Sequence, residues 1–70
     1  MKEIIYFNYN TSQAILFRED ETVFDMHTHK PVAFIEEGIW FSFNKRSPIA
    51  FEESGVVFDY KTQRPLYFYE

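Results

Sequence analysis

The residues best equipped for chemistry in this chain fall into three sets. The tightest is His27-Thr28-His29, with Asp25 two residues ahead. In an extended segment the two imidazoles share a side, and neutral imidazole is the commonest metal ligand. A stable site needs three or four ligands with supporting hydrogen bonds. The matching places elsewhere in the chain hold Asn10/Ser12, Asn44/Arg46 and Lys61/Gln63. His27 and His29 are therefore weak candidate ligands, polar loop residues by default, and no cofactor is expected. The second set is Glu19, Glu36, Glu53 and Glu70, evenly spaced. If they converged, their repulsion would raise some pKa values or recruit a cation such as Ca²⁺. If they do not, each flanks a turn in water. The third set is Lys30, Lys45, Arg46, Lys61 and Arg64, a candidate rim for an anion such as phosphate or single-stranded nucleic acid, or for an acidic protein.

Several chemistries are disfavoured at once. The chain has no cysteine nucleophile and no Gly-rich phosphate loop, and Ser12, Ser42, Ser47 and Ser54 have no identifiable base. An enzyme is not expected. A net charge of −4 disfavours nucleic-acid binding, which rests on basic residues neutralising phosphates. No apolar run approaches the roughly 20 residues of a membrane helix. The absence of cysteine, and of a secretory leader pattern after Met1, points to a cytoplasmic setting.

The spacing of these residues comes from a repeat of 17. Phe7, Phe24, Phe41 and Phe58 keep that step, as do Phe17, Phe34, Phe51 and Phe68, and the four Glu above. Pro31, Pro48 and Pro65 keep it too, with Ala14 in the first slot. Fixed-period similarity marks a repeat architecture. One domain over 1–70 is expected, with units 3–19, 20–36, 37–53 and 54–70. In 70 residues only about 60% of the unfolded surface can be buried, yet 21% aromatic residues supply ample core material.

Each unit reads as one β-hairpin. A first alternating run, such as Ile39-Trp40-Phe41-Ser42-Phe43, is followed by a polar loop and then by a second run opening at Pro. A proline at the start of a strand loses no needed N–H. Between units, Glu36-Glu37-Gly38 and Glu53-Ser54-Gly55 suit a three-residue hairpin loop with a glycine bulge. In the first junction Glu21 stands where the others have Gly, and a left-handed conformation would cost it about 1 kcal/mol. A different turn is therefore expected there.

The predicted fold class is all-β: four tandem hairpins forming an eight-stranded antiparallel up-and-down meander. With no helix to cover it, the sheet must close into a barrel, roll into a sandwich or dimerise. Closure is favoured because it removes both edges. One face, carrying Ile5, Phe7, Tyr9, Ile15, Phe17 and their equivalents, is apolar nearly throughout and reads as the core. About twenty large side chains are, however, a tight fit for an eight-stranded interior. The other face is mixed. Tyr6, Ile35, Trp40, Val57, Tyr67 and Tyr69 on it are the candidate protein-interaction residues, since aromatic anchors dominate interface hot spots.

Alternate turns of a meander lie at opposite ends, so the charges sort. Lys30, Lys45, Arg46, Lys61 and Arg64 gather at the loop end. Glu3, Glu19, Asp20, Glu21, Glu36, Glu37, Glu52, Glu53 and Glu70 gather at the turn end. Solubility alone explains solvated rims; binding an anion or an acidic partner is the functional alternative. The repeated Phe–Asp–Tyr, polar loop and Pro–apolar–apolar–Phe pattern resembles, as an architecture, tandem β-hairpin modules such as MORN and YD repeats. Those units are longer and richer in Gly, and the resemblance implies no residue-level role. The leading expectation is a non-enzymatic interaction module, binding an unidentified protein partner or forming a homo-oligomer through the aromatic face or a strand edge. The rival is a ligand-binding barrel using the basic rim or the glutamate ring.

Overall fold

Alternating sequence, prolines at strand starts and paired turn residues give eight strands and no helix in the computed structural model, which describes residues 3–69. The strands are β1 (Ile4–Asn8), β2 (Ala14–Glu19), β3 (Thr22–Asp25), β4 (Pro31–Glu36), β5 (Ile39–Ser42), β6 (Pro48–Glu53), β7 (Val56–Asp59) and β8 (Pro65–Phe68). Each pairs antiparallel with the next, and β8 returns to β1, closing an up-and-down barrel. At the closing seam Phe7 lies opposite Phe68 and Asn8 opposite Tyr67. The Tyr9 N–H also donates to the Leu66 carbonyl there (3.0 Å). Among the described residues no strand keeps a free edge, which leaves the strand-edge route to self-association without a template.

The turns between units are tighter than the sequence suggests. Glu36 pairs with Ile39 and Glu53 with Val56, so each loop has two residues rather than three. Glu37 (φ 53°) and Gly38 (φ 80°), like Ser54 (φ 53°) and Gly55 (φ 85°), have the pair of positive φ values of a type I′ turn. That twist matches the flanking strands. In the first turn only Asp20 has a positive φ (55°), the type II′ pattern, so Glu21 escapes the left-handed region.

The within-unit loops repeat one hydrogen-bonded device. Asn8 Oδ1 accepts from the N–H groups of Asn10 (2.8 Å) and Thr11 (3.0 Å). Asp25 does the same for His27 and Thr28, and Asp59 for Lys61 and Thr62, at the same distances. Ser42 makes one weaker bond, from Lys45 N–H (3.3 Å). The chain then turns through a left-handed residue: Ser12, His29, Arg46 or Gln63, with φ between 60° and 65°. After each loop the ladder register shifts. Ile15, Val32, Ile49 and Leu66 are thus extra residues on the second strand of each unit, and such bulges add the curvature that a small closed barrel needs.

The core is on the opposite face from the one the sequence favours. Tyr6, Val23, Trp40 and Val57, one from each unit, are 0–2% exposed, and Leu16, Ala33, Ala50 and Ile35 are also buried. The Phe face points outward. There Phe17 stacks on Phe24, Phe34 on Phe41, Phe51 on Phe58 and Phe68 on Phe7 across the seam, with ring centroids 5.3–5.4 Å apart. The cause is volume. An eight-stranded barrel is only just wide enough for its interior side chains. One level holds the bulk of Tyr6 and Trp40 because Val23 and Val57 stand between them in the ring; eight inward Phe have no such relief. Stacked in cross-strand pairs, the Phe rings shield one another and remain half-buried outside.

Candidate functional site

The interior is organised in levels, with one side chain from each unit at each. Near the turn end stand Arg18, Ile35, Glu52 and Tyr69; below them Tyr6, Val23, Trp40 and Val57; then Leu16, Ala33, Ala50 and Tyr67; and at the loop end Asn8, Asp25, Ser42 and Asp59. Strand alternation and the 17-residue step place them so.

The turn end is closed by a polar cluster centred on Glu52. Glu52 Oε2 accepts from the Tyr6 hydroxyl (2.8 Å) and the Trp40 indole N–H (2.7 Å). Glu52 Oε1 accepts from the Tyr69 hydroxyl (3.3 Å). The rings that bring these tips together pack edge to face: Tyr6 against Trp40 (5.0 Å) and Tyr6 against Tyr69 (5.3 Å). Burial, then the Glu52 charge, push the Tyr6 phenol pKa far up; nearby Arg18 acts weakly the other way. The same first two causes raise Tyr69. Arg18 is anchored by its Nε–H to the Asp20 carbonyl (2.6 Å). Among the described residues, no buried side-chain polar atom lacks a partner.

The loop end is different. An open cavity of about 390 Å³ is lined by Leu16, Ala33, Ala50, Trp40 and Tyr67, with the bulge residues Val32, Ile49 and Leu66 and the carboxylates Asp25 and Asp59. The space exists because units two and three carry Ala33 and Ala50 where units one and four carry Leu16 and Tyr67. Tyr67 stacks on Trp40 (5.8 Å, 17°), and its hydroxyl has no hydrogen bond among the described residues. Burial raises its pKa. Backbone N–H groups from the loops hold Asp25 and Asp59 below the ordinary carboxylate value, so both are ionised at neutral pH.

The candidate interaction residues are therefore interior ones. Tyr6, Ile35, Trp40 and Val57 are 0–4% exposed, while Tyr67 and Tyr69 are half-buried and pack against that core. In the closed barrel none of the first four offers a docking surface. Lys30, Lys45, Arg46, Lys61 and Arg64 are all exposed on the loops, and none lines the cavity. Glu19, Glu36 and Glu53 are exposed at strand ends, in phase with the outward Phe, and do not ring an interior; Glu70 lies outside the described residues. The interior carboxylate is Glu52, one residue earlier. His29 is the left-handed loop residue, and its ring packs edge-on to Phe17 (5.9 Å). No group of three possible metal ligands gathers among the described residues.

Set against family models, curated proteins and solved structures, the chain matches none.

Proposed function

We propose that the protein is a small, non-enzymatic interaction module that docks an acidic partner on its loop end. The supporting observation is where apolar surface is exposed. Among the described residues, Tyr9 (46%), Val32 (37%), Phe43 (44%), Ile49 (40%) and Tyr60 (43%) are the exposed large apolar ones, and every one opens or flanks a within-unit loop. Four of them form two adjacent pairs. Phe43 N–H bonds to the Val32 carbonyl (3.2 Å) and Tyr60 N–H to the Ile49 carbonyl (3.0 Å), each across a unit boundary. The exposed cations Lys30, Lys45, Arg46, Lys61 and Arg64 lie on the same loops. Apolar anchors beside exposed cations suit a partner with apolar contacts and opposite charge. The acidic turn end of a second copy is such a surface, and head-to-tail contact of this kind builds open-ended stacks rather than closed dimers.

Membrane spanning does not suit this barrel. Its strands have four to six residues, against the roughly 9–11 of a membrane strand.

Sedimentation at rising protein concentration tests self-association. The mass should rise with concentration, fall as salt is added, and stay at one copy in Phe43→Ser/Tyr60→Ser or Lys45→Glu/Arg46→Glu variants. A wild-type mass of one copy throughout removes the second copy as the partner. A second reading, a ligand-binding barrel, is favoured by the open cavity between the loops.

A further inference from the structure

We infer that the loop-end cavity is a binding site for a small organic monocation with an aromatic or compact alkyl body, such as a primary or quaternary amine. The inference rests on the ligand-binding reading just given. It is independent of what docks on the outer rim.

The size and walls suit a small molecule. Ligand pockets commonly run from about 300 to 1,000 Å³ and are mostly apolar, with a few placed polar groups; this one, at about 390 Å³, is at the small end. Its floor is Leu16, Ala33, Ala50 and the Trp40–Tyr67 stack. Stacking on Trp40 covers one face of the Tyr67 ring, and Tyr67 still lines the space, so an aromatic surface is available to a cation.

The charge of the lining decides the ligand's sign. Among the described residues, Asp25 and Asp59 are the only charged ones that line the cavity. They come from units two and four, which face each other across a fourfold ring. In each, Oδ1 is occupied by two backbone N–H groups, and the other oxygen has no hydrogen bond within the chain among the described residues. An anion seated here would meet two carboxylates and no cation. The basic loop residues, which make the rim look anion-selective from sequence, do not reach the lining. A monocation meets opposite charge on two sides and apolar or aromatic surface below.

The test is a titration of the whole protein with benzylammonium, phenyltrimethylammonium, benzoate and benzyl alcohol, which share a ring and differ in charge. The readouts are fluorescence of Trp40, the single tryptophan, and the NMR shifts of the Ala33 and Ala50 methyl groups. Saturable shifts with the two cations only are expected. Asp25→Asn and Asp59→Asn should each weaken binding roughly threefold, as for a solvent-exposed charge pair. Both variants should keep the loop, because Asn8 already makes the same two hydrogen bonds in the first unit. Ala50→Leu, which copies the larger residue of unit one into the cavity, should abolish binding, with the fold checked by circular dichroism. Equal binding of benzoate or benzyl alcohol would keep the ligand-binding barrel but overturn the cation. Cation binding unmoved by both Asn variants would overturn it as well. No saturable shift with any of the four would overturn the cavity as a ligand site altogether.

Discussion

At the turn end, Glu52 draws the polar tips of Tyr6, Trp40 and Tyr69 onto one carboxylate and fills the interior. At the loop end, the same fourfold frame holds two alanines, an unengaged tyrosine hydroxyl and two carboxylates around an open cavity. The backbone is nearly equivalent in all four units, with the same loop bond pattern and the same left-handed residue every 17 positions. Within each mouth, the four units therefore differ mainly in their side chains. Where the four residues of a level differ in size and polarity so as to complement one another, the barrel is sealed. Where two of them are small, it is left open. Side-chain hydrogen bonding is thus concentrated at one end and open space at the other.

That contrast can be broken most forcefully at Trp40, which belongs to both regions. Trp40→Ala removes the Glu52 bond and the floor of the cavity, and should cost about 3–5 kcal/mol. Domains of this length are stable by roughly 4–10 kcal/mol, so the variant should lose a third or more of its stability, read as a much lower urea midpoint. Next comes Glu52→Ala, which strands three donors and should cost about 2–3 kcal/mol; Glu52→Gln, which keeps an acceptor, should cost roughly half as much. The sealed end also contributes to the alkaline limit, with half-buried Tyr67 adding to it from the loop end. The folded state raises the Tyr6 and Tyr69 pKa values above the ordinary 10.0. Their stabilising contribution is therefore complete below pH 10 and lost as pH climbs toward the folded values. Tyr6→Phe should flatten that alkaline decline in a pH series of unfolding curves.

Smaller effects sharpen the comparison at the turns themselves. A Cβ on Gly55 would sit 3.3 Å from the Tyr69 carbonyl with φ at +85°, so Gly55→Ala should destabilise by about 1–2 kcal/mol. At the opposite end Gln63 already has φ 63°, and Gln63→Gly should stabilise by about 0.5 kcal/mol once the added unfolded-state entropy is offset. The acid limit belongs to the loop end. Asp25 and Asp59 have folded pKa values below the ordinary 3.8. Their contribution is present above that value and lost as pH falls through the folded pKa. The Asp25→Asn/Asp59→Asn variant should lose stability less steeply in acid than the wild type, the smallest of these effects.

The period of 17 residues, the eight strands and the proline-started β4, β6 and β8 are legible in the sequence, because turn chemistry and alternation are local; closure is favoured there over a sandwich or a dimer but not fixed. The facing of the sheet is not. Hydropathy favours the uniform Phe face as the core, yet whether a side chain fits inside depends on the width of the closed ring, a property of all eight strands together. The difficulty of fitting twenty large residues was the visible sign of that inversion. The candidate site was hidden for the same reason. With the faces reversed, Tyr6 and Trp40 read as surface anchors, and Glu53 rather than Glu52 falls in phase with the expected core. The useful signals were the irregularities within an otherwise regular column: Glu52 among Arg18, Ile35 and Tyr69, and Ala33 and Ala50 among Leu16 and Tyr67. Those departures mark where the four units stop being interchangeable.

The seam between β8 and β1 carries a consequence for how such a chain can change length. Phe68 meets Phe7 there just as Phe17 meets Phe24 across a covalent turn. Open-ended repeat proteins accept an added unit at either end, because each unit touches only its neighbours. A ring that closes on itself cannot. A fifth copy of the 17 residues would have to hang outside the closed ring or widen it to ten strands around side chains chosen to fill eight. Four is thus a quantised number for these units, and growth by duplication would demand a new interior at the same time.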